Sequence, residues 1–287
     1  MKIQVSGRLG NQLFQWAFAH ELAEYFNESV TPVVDPIHFP IGQNSIYVGG
    51  LSKCCHIGDQ ISSRNLGYIL KFFDKLKNIN QKIAIKVWNL AGFYRESDAY
   101  TVPILEKLTK KPRFLTGFYI SELYVLKHRS HLHEMLTEKF TKESELISSK
   151  IDLPDAFQAV HVRRGDFSSL KDSFGLLSRD WYLQNLDQNL PIVLATDDLL
   201  GARDVISAIS PQFILDPANF SPWETLGILS KAKQIVLSNS TFGWWSGFCA
   251  AENGGTVIYP HPFYKSSKDD QLSLSLPNVR KCQSFFE

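Results

Sequence analysis

Short apolar runs that end in clusters of glycine, arginine, serine or aspartate recur along this chain, separated by longer segments with apolar residues three and four apart. Lys2-Ile3-Gln4-Val5 reads as a buried strand and Ser6 to Gln12 as a glycine-bearing turn. Leu13 to Phe26 follows as a helix with Leu13, Trp16, Ala17, His20 and Ala23 on one face. Thr31 to Asp35, with Pro32 within it and Pro36 after it, is another extended run, as expected of a chain returning to a parallel sheet.

The second half alternates more regularly. Phe157 to Val162 predicts a strand ending in Arg163-Arg164-Gly165-Asp166, and Ile192 to Ala195 one ending in Thr196-Asp197-Asp198. Further strands are expected at Phe213 to Leu215, Gln234 to Leu237 and Thr256 to Tyr259. Helices are expected from Asp180 to Asn189, Asp198 to Ile209 and Trp223 to Ala232, and another opens at Ser238-Asn239-Ser240-Thr241. The pattern is that of a doubly wound α/β domain, whose ligand crevice lies at the carboxyl ends of its strands. Lys139 to Asp155 is polar and strand-poor, which sets the expected junction between an N-terminal domain at 1–153 and a C-terminal domain at 154–287.

A length of 287 residues with 44% apolar content leaves room for two buried cores. The formal charge of +1 gives the molecule no electrostatic reason to seek nucleic acid, so any basic site must be local. Cys54, Cys55, Cys249 and Cys282 lack the paired spacing of a zinc site and read as reduced thiols, which suits the cytoplasm. No apolar run approaches the roughly 20 residues that cross a bilayer, and Met1 leads directly into the first strand without the pattern of a signal peptide. Between Arg64 and Trp88, Lys71, Lys75, Lys77, Lys82 and Lys86 face the single acid Asp74. This is either a solvated helix face or a basic surface for an anionic, lipid-linked acceptor at the inner face of a membrane.

Chemistry concentrates at the predicted strand ends. Ser238 to Trp245 places hydroxyls and backbone amides at a helix start, which is either an anion site or an ordinary N-cap with Trp244 and Trp245 in the core. In His161-Val162-Arg163-Arg164-Gly165-Asp166, strand alternation sends the two arginines to opposite sides, one toward a ligand and the other into a structural pair with Asp166. A guanidinium suits a diphosphate because it offers permanently charged, bidentate donors. Gly7 and Gly10 permit unusual backbone conformations beside the donors Arg8, Asn11 and Gln12. They match neither the dinucleotide fingerprint nor a P-loop. Thr196-Asp197-Asp198 reads equally as a nucleoside contact or a helix cap. No His, Asp or Glu set has ligand-like spacing, so no metal is expected.

Taken in order, Gly7 to Gln15, His161 to Asp166, Thr196 to Asp198 and Ser238 to Trp245 resemble the motifs of glycosyltransferase family 11, the α-1,2-fucosyltransferases, bacterial type. The resemblance implies a GT-B architecture of two Rossmann-like domains facing across a cleft, an inverting reaction, GDP-fucose as donor, no required metal, and a galactose-containing glycan as acceptor. It implies that Arg163 contacts the pyrophosphate, that His161 shapes that site, and that Ser240, Thr241 and Phe242 line the nucleotide pocket. Asn11, with Arg8 and Gly10, is expected to close over the donor. Glu224 is the candidate reader of guanine, with Thr225 as the alternative position, and Asp166 or Asp172 the candidate base. The other readings are a different GDP-sugar or linkage, and a non-catalytic nucleotide- or glycan-binding protein on the same scaffold.

Overall fold

The computed structural model describes residues 1–34, 51, 61–62, 90–95, 108, 110–266, 276 and 279–287, with isolated positions between 71 and 87. Most of the basic segment, Arg64, Lys77 and Lys82 included, lies outside the described residues, as do Cys54 and Cys55. Two compact units are present, Met1–Leu132 and His133–Glu287.

In unit 1 the strands are β1 (Lys2–Gln4), β2 (Thr31–Val34), β3 (Ile61–Ser62), β4 (Phe93–Arg95) and β5 (Phe114–Thr116), ordered β3-β2-β1-β5-β4. All described pairings are parallel. The helices are α1 (Leu9–Phe26), α2 (Glu122–Leu126) and the start of α3 (Arg129–Lys150). Helix α1 begins at Leu9 rather than Leu13, so Gly10, Asn11 and Gln12 stand in its first turn and not in a loop. Gly7, at φ +77°, makes the tight entry that a β-carbon would block by lying 2.6 Å from Asn11 Nδ2. Leu9, Leu13, Phe14, Phe18 and Leu22 of α1 are buried together with Ile3, Val33 and Leu115 of the sheet.

Unit 2 has β6 (Gln158–Val162), β7 (Ile192–Thr196), β8 (Phe213–Leu215), β9 (Gln234–Val236), β10 (Thr256–His261) and β11 (Val279–Gln283). The order is β11-β10-β9-β6-β7-β8, parallel throughout. Counted within the unit this is third-second-first-fourth-fifth-sixth from one edge, the order of a doubly wound fold. The strand direction reverses its sequence of addition between β6 and β9, so the loops leaving those two neighbours diverge and open a crevice. The connecting helices are α4 (Arg179–Gln184), α5 (Arg203–Ile209), α6 (Pro222–Leu229) and α7 (Thr241–Glu252). Val160, Val162, Leu194, Val236 and Ile258 form the sheet's share of a core closed by Trp181, Tyr182 and Val205.

The units divide inside α3, earlier than the junction expected at 153–154. Packing accounts for this: Phe140 lies 6.4 Å, ring to ring, from Trp223, and Lys150 pairs with Glu224 at 2.6 Å, so the later part of α3 is a layer of unit 2. Strand β11, which the alternation pattern did not mark, pairs along its whole length with β10 despite the exposed Arg280 and Lys281. As an edge strand it needs only one protected side, and its charges follow from that position.

Candidate functional site

Parallel pairing brings three motifs to one end of the unit 2 sheet. Val162 is in register with Thr196, and β6 also pairs with β9, so Arg163, Asp197 and Ser238 all leave from strand ends on adjacent strands. His161, 4% exposed, shares a 2.7 Å hydrogen bond between its Nδ1 and the Ser238 hydroxyl, and its ring lies 5.3 Å from that of Phe242. Burial lowers its pKa to about 4, the Arg163 charge acting the same way and Asp197 opposing, so the ring is neutral near pH 7. His161 is thus a buried neutral ring packed between Ser238 and Phe242. Gly243 lets helix α7 close on it: a β-carbon there would stand 2.9 Å from the Ser238 carbonyl oxygen and 3.0 Å from His161 Nδ1.

The serine-rich start of α7 is an N-cap with Trp244 and Trp245 in the core. Ser240 is its N-cap, accepting from the Gly243 amide at 3.0 Å, and the first i to i−4 bond runs from Trp244 to the Ser240 carbonyl. Asn239 donates its amide to the Phe174 and Gly175 carbonyls at 2.8 and 3.1 Å, and Trp244 and Trp245 are fully buried. Ser238, Asn239 and Ser240 therefore build the turn, while the partly exposed Thr241 and Phe242 carry the first amides of the helix, at the positive end of its dipole.

The two arginines part as alternation predicts. Arg164 is 2% exposed, donates to the Leu177 carbonyl at 3.0 Å, and pairs with Glu287 at 2.8 Å and Asp204 at 3.9 Å. It is structural. Arg163 turns the other way, with its guanidinium carbon 5.2 Å from the Phe167 ring centroid, and pairs with Asp197 at 2.8 Å and Asp166 at 2.5 Å. Asp166, expected beside the structural arginine, is therefore the partner of the functional candidate: the turn Gly165–Ser169 carries it back over residue 163. Asp197 is likewise committed to protein groups, accepting also from the Arg164 amide at 2.9 Å. Asp198 accepts from the Gly201 amide at 3.0 Å and closes its own turn with Thr196.

Glu224, the candidate reader of guanine, is engaged by protein groups. It completes a capping box with Ser221, whose amide donates to Oε2 at 2.8 Å, while Oε1 takes Lys150 at 2.6 Å. Held at both oxygens and 4% exposed, this carboxylate caps helix α6. Thr225 is partly exposed. Asp172 is exposed. In unit 1, Arg8 is the exposed N-cap residue of α1, Gly10 is buried and Asn11 half-buried. Gln12 donates to the Gly7 carbonyl at 2.8 Å, and Gln15 binds the Ser6 amide, the Ser6 hydroxyl and the Gly117 carbonyl. The glutamines are braces of the loop, a role that the motif's polarity alone did not distinguish from ligand contact.

One group among the described residues brings three potential metal-ligand atoms within 4.8 Å, Glu21, Glu24 and His128 of unit 1. Lys127 sits on it, at 2.8 Å from Glu21 and 3.4 Å from Glu24, and supplies the counter-charge there.

Residues 68–274, most of the chain, match the model of glycosyl transferase family 11. The chain belongs to glycosyl transferase family 11. This family 11 chain is 23% identical to an α-1,2-colitosyltransferase of Escherichia coli over 91% of both sequences. It is 26% identical to the galactoside α-(1,2)-fucosyltransferase 1 of Plecturocebus brunneus over 45% of its own length and 41% of that protein's, so it spans less than half of that relative. Among solved structures, POFUT1 in complex with GDP-fucose aligns at a TM-score of 0.44 and 12% identity, over 100% of this chain and 98% of that one. The α-1,6-fucosyltransferase NodZ soaked with GDP-fucose aligns at 0.46 and 11%, over 86% and 92%. Among the described residues no helix is long and apolar enough to cross a membrane.

Proposed function

We propose that this chain is an inverting α-1,2-fucosyltransferase that moves L-fucose from GDP-fucose to the 2-hydroxyl of a galactose residue in a glycan such as a surface polysaccharide. The observation that carries the reading is that, at the switch point of a family 11 chain, neighbouring strands β6 and β9 lead respectively to a nearly buried guanidinium, Arg163, and to the amino end of α7. The helix end offers amides at the positive end of its dipole, and the guanidinium offers donors held in place by Asp197 before negative charge develops.

In the proposed reaction the acceptor oxygen bonds to the anomeric carbon from the side opposite GDP. The bond from that carbon to the diphosphate oxygen breaks, and the electron pair leaves with GDP. Arg163 and the first amides of α7, at Thr241 and Phe242, stabilise the departing charge. The acceptor proton passes to a base, for which Asp172, or Asp166 once it has left Arg163, is the candidate carboxylate. Because the chain's own cations serve the leaving group, transfer is expected to persist in EDTA. Strict dependence on added manganese or magnesium would count against this.

Support for fucose comes from the galactoside fucosyltransferase relatives, and support for a different sugar from the colitosyltransferase, which matches along nearly the whole chain. The deciding experiment incubates the protein with GDP-fucose or GDP-colitose and a mixture of galactose-terminated glycans, then determines the product linkage by NMR. A fucosyl 1,2-linkage is expected. Transfer of colitose alone replaces the donor, and binding of GDP without transfer to any glycan sinks the enzymatic reading. The proposed setting is the cytoplasm, and sedimentation with anionic vesicles tests contact with the membrane's inner face.

A further inference from the structure

Two carboxylates grip the Arg163 guanidinium, and they are held in opposite ways. Asp197 is fixed: its Oδ1 accepts from the Arg164 backbone amide at 2.9 Å, its Oδ2 meets Arg163 Nη1 at 2.8 Å, and its side chain is 15% exposed. The space for it comes from Gly165, where a β-carbon would lie 2.1 Å from Oδ2, an impossible contact. Asp166 stands on the short turn Gly165–Ser169, 50% exposed, and touches Arg163 at Nη2. Arg163 Nε, meanwhile, is buried and finds no acceptor among the described residues.

Covalent geometry gives this division a meaning. In a guanidinium, Nε–H and the outer Nη2–H point the same way and form the edge that binds an oxyanion through two parallel bonds. Asp197 holds Nη1, off that edge. Asp166 meets Nη2, the outer nitrogen of that edge, through one oxygen, while Nε beside it has no acceptor among the described residues. A side chain already half in water is rehydrated at little cost when it leaves, whereas moving Asp197 would strip a backbone amide of its acceptor.

We propose that Asp197 is a positioning residue that keeps Arg163 aimed, and that Asp166 is the exchangeable partner whose place on the Nε–Nη2 edge a nucleoside diphosphate takes. This rests on the reading of Arg163 as the diphosphate ligand, and the test separates the two. GDP is titrated calorimetrically into wild type, Arg163→Ala, Asp197→Asn, the double variant and Asp166→Asn at one salt concentration, with thermal melting alongside. Arg163→Ala should weaken GDP at least about tenfold, and Asp197→Asn about fivefold in the wild-type background but less than about twofold once Arg163 is absent, because it acts through that residue. Asp166→Asn should tighten GDP by about twofold or more, since the competing charge is gone.

An equal loss from Asp197→Asn in both backgrounds would overturn the positioning role, and weakening by Asp166→Asn would overturn the exchange. If Arg163→Ala binds GDP like wild type, the diphosphate reading itself fails and takes this one with it, a pattern unlike either of the others. Should Asp197→Asn fail to fold, Gly165→Ala displaces the same carboxylate without removing its charge and should weaken GDP in the same direction. Wild-type affinity in a folded Gly165→Ala would count against the positioning role.

Discussion

The loops that leave β1 in unit 1 and β6 in unit 2 occupy the same topological position, each following the first strand of a parallel sheet, yet they are built from different chemistry. The β1 loop is held by neutral amides: Gln12 and Gln15 reach back to Gly7, Ser6 and Gly117, and its arginine, Arg8, is exposed. The β6 loop is held by buried charge, with Arg163, Arg164 and Asp197 nearly enclosed over a neutral His161. Neutral braces fix a backbone shape and tolerate water. A buried cation demands a counter-ion at fixed geometry, which Asp197 supplies in the β6 loop, and the proposed diphosphate site rests on that difference.

The contrast breaks first at Arg163. Arg163→Ala should lower turnover at least about 100-fold, and Arg163→Lys, which keeps a charge opposite Asp197 but loses the fork, should forfeit most of that turnover while melting close to wild type. Steady-state transfer assays beside thermal melts check both. Near-wild-type turnover of either variant would make the β6 loop no more functional than its counterpart after β1. Arg164 should behave in the reverse way, because its partners are structural. Arg164→Met is expected to cost about 2–4 kcal/mol in urea denaturation through the unpaired Leu177 carbonyl and Glu287.

His161 sharpens the comparison through pH. Its folded pKa, about 4 because of burial, lies below the ordinary 6.5, so the unfolded chain binds the proton more readily. The stabilisation is fully present above about pH 6.5 and is lost as pH falls toward 4. Urea midpoints should therefore drop between pH 7 and pH 5, and His161→Gln should flatten that slope. An unchanged slope would mean that other groups carry the acid sensitivity. Gln15→Ala, the equivalent disruption in unit 1, should cost about 1–3 kcal/mol for its lost contacts with no comparable pH dependence.

The smallest expected effect concerns Glu224. Glu224→Ala should cost about 1–2 kcal/mol through the capping box and the Lys150 pair. The preference for GDP over ADP, measured calorimetrically, should stay as it is. A collapse of that preference would restore Glu224 as a reader of guanine.

Local sequence made much of unit 2 legible. The runs at 157–162, 192–195, 213–215, 234–237 and 256–259 all fall on strands: the inner strands β6, β7, β9 and β10 are mostly buried and so mostly apolar, while β8 is an edge strand that leaves Ile214 exposed. Unit 1 was less legible: β4 and β5, three residues each, stand outside the regular strand-helix alternation that marks the equally short β8 and β9, and Phe114-Leu115-Thr116 is paired on both sides, by β1 and β4. The start of α1 was misplaced for a related reason, since two glycines read as a turn when Leu9 and its neighbours had no visible tertiary partners.

The sequence alone determined that this chain folds as strand-loop-helix units with arginine, aspartate and serine at the strand ends, because side-chain period and turn chemistry are local properties. It also fixed the opposite facing of Arg163 and Arg164, which follows from the alternation of an extended backbone. Which aspartate meets which arginine, that Gly165 leaves the room Asp197 occupies, and that Glu224 caps a helix were decided only by the tertiary structure. Those pairings join residues on different strands or helices, and the distance between two charges depends on strand order and register, which no local pattern encodes.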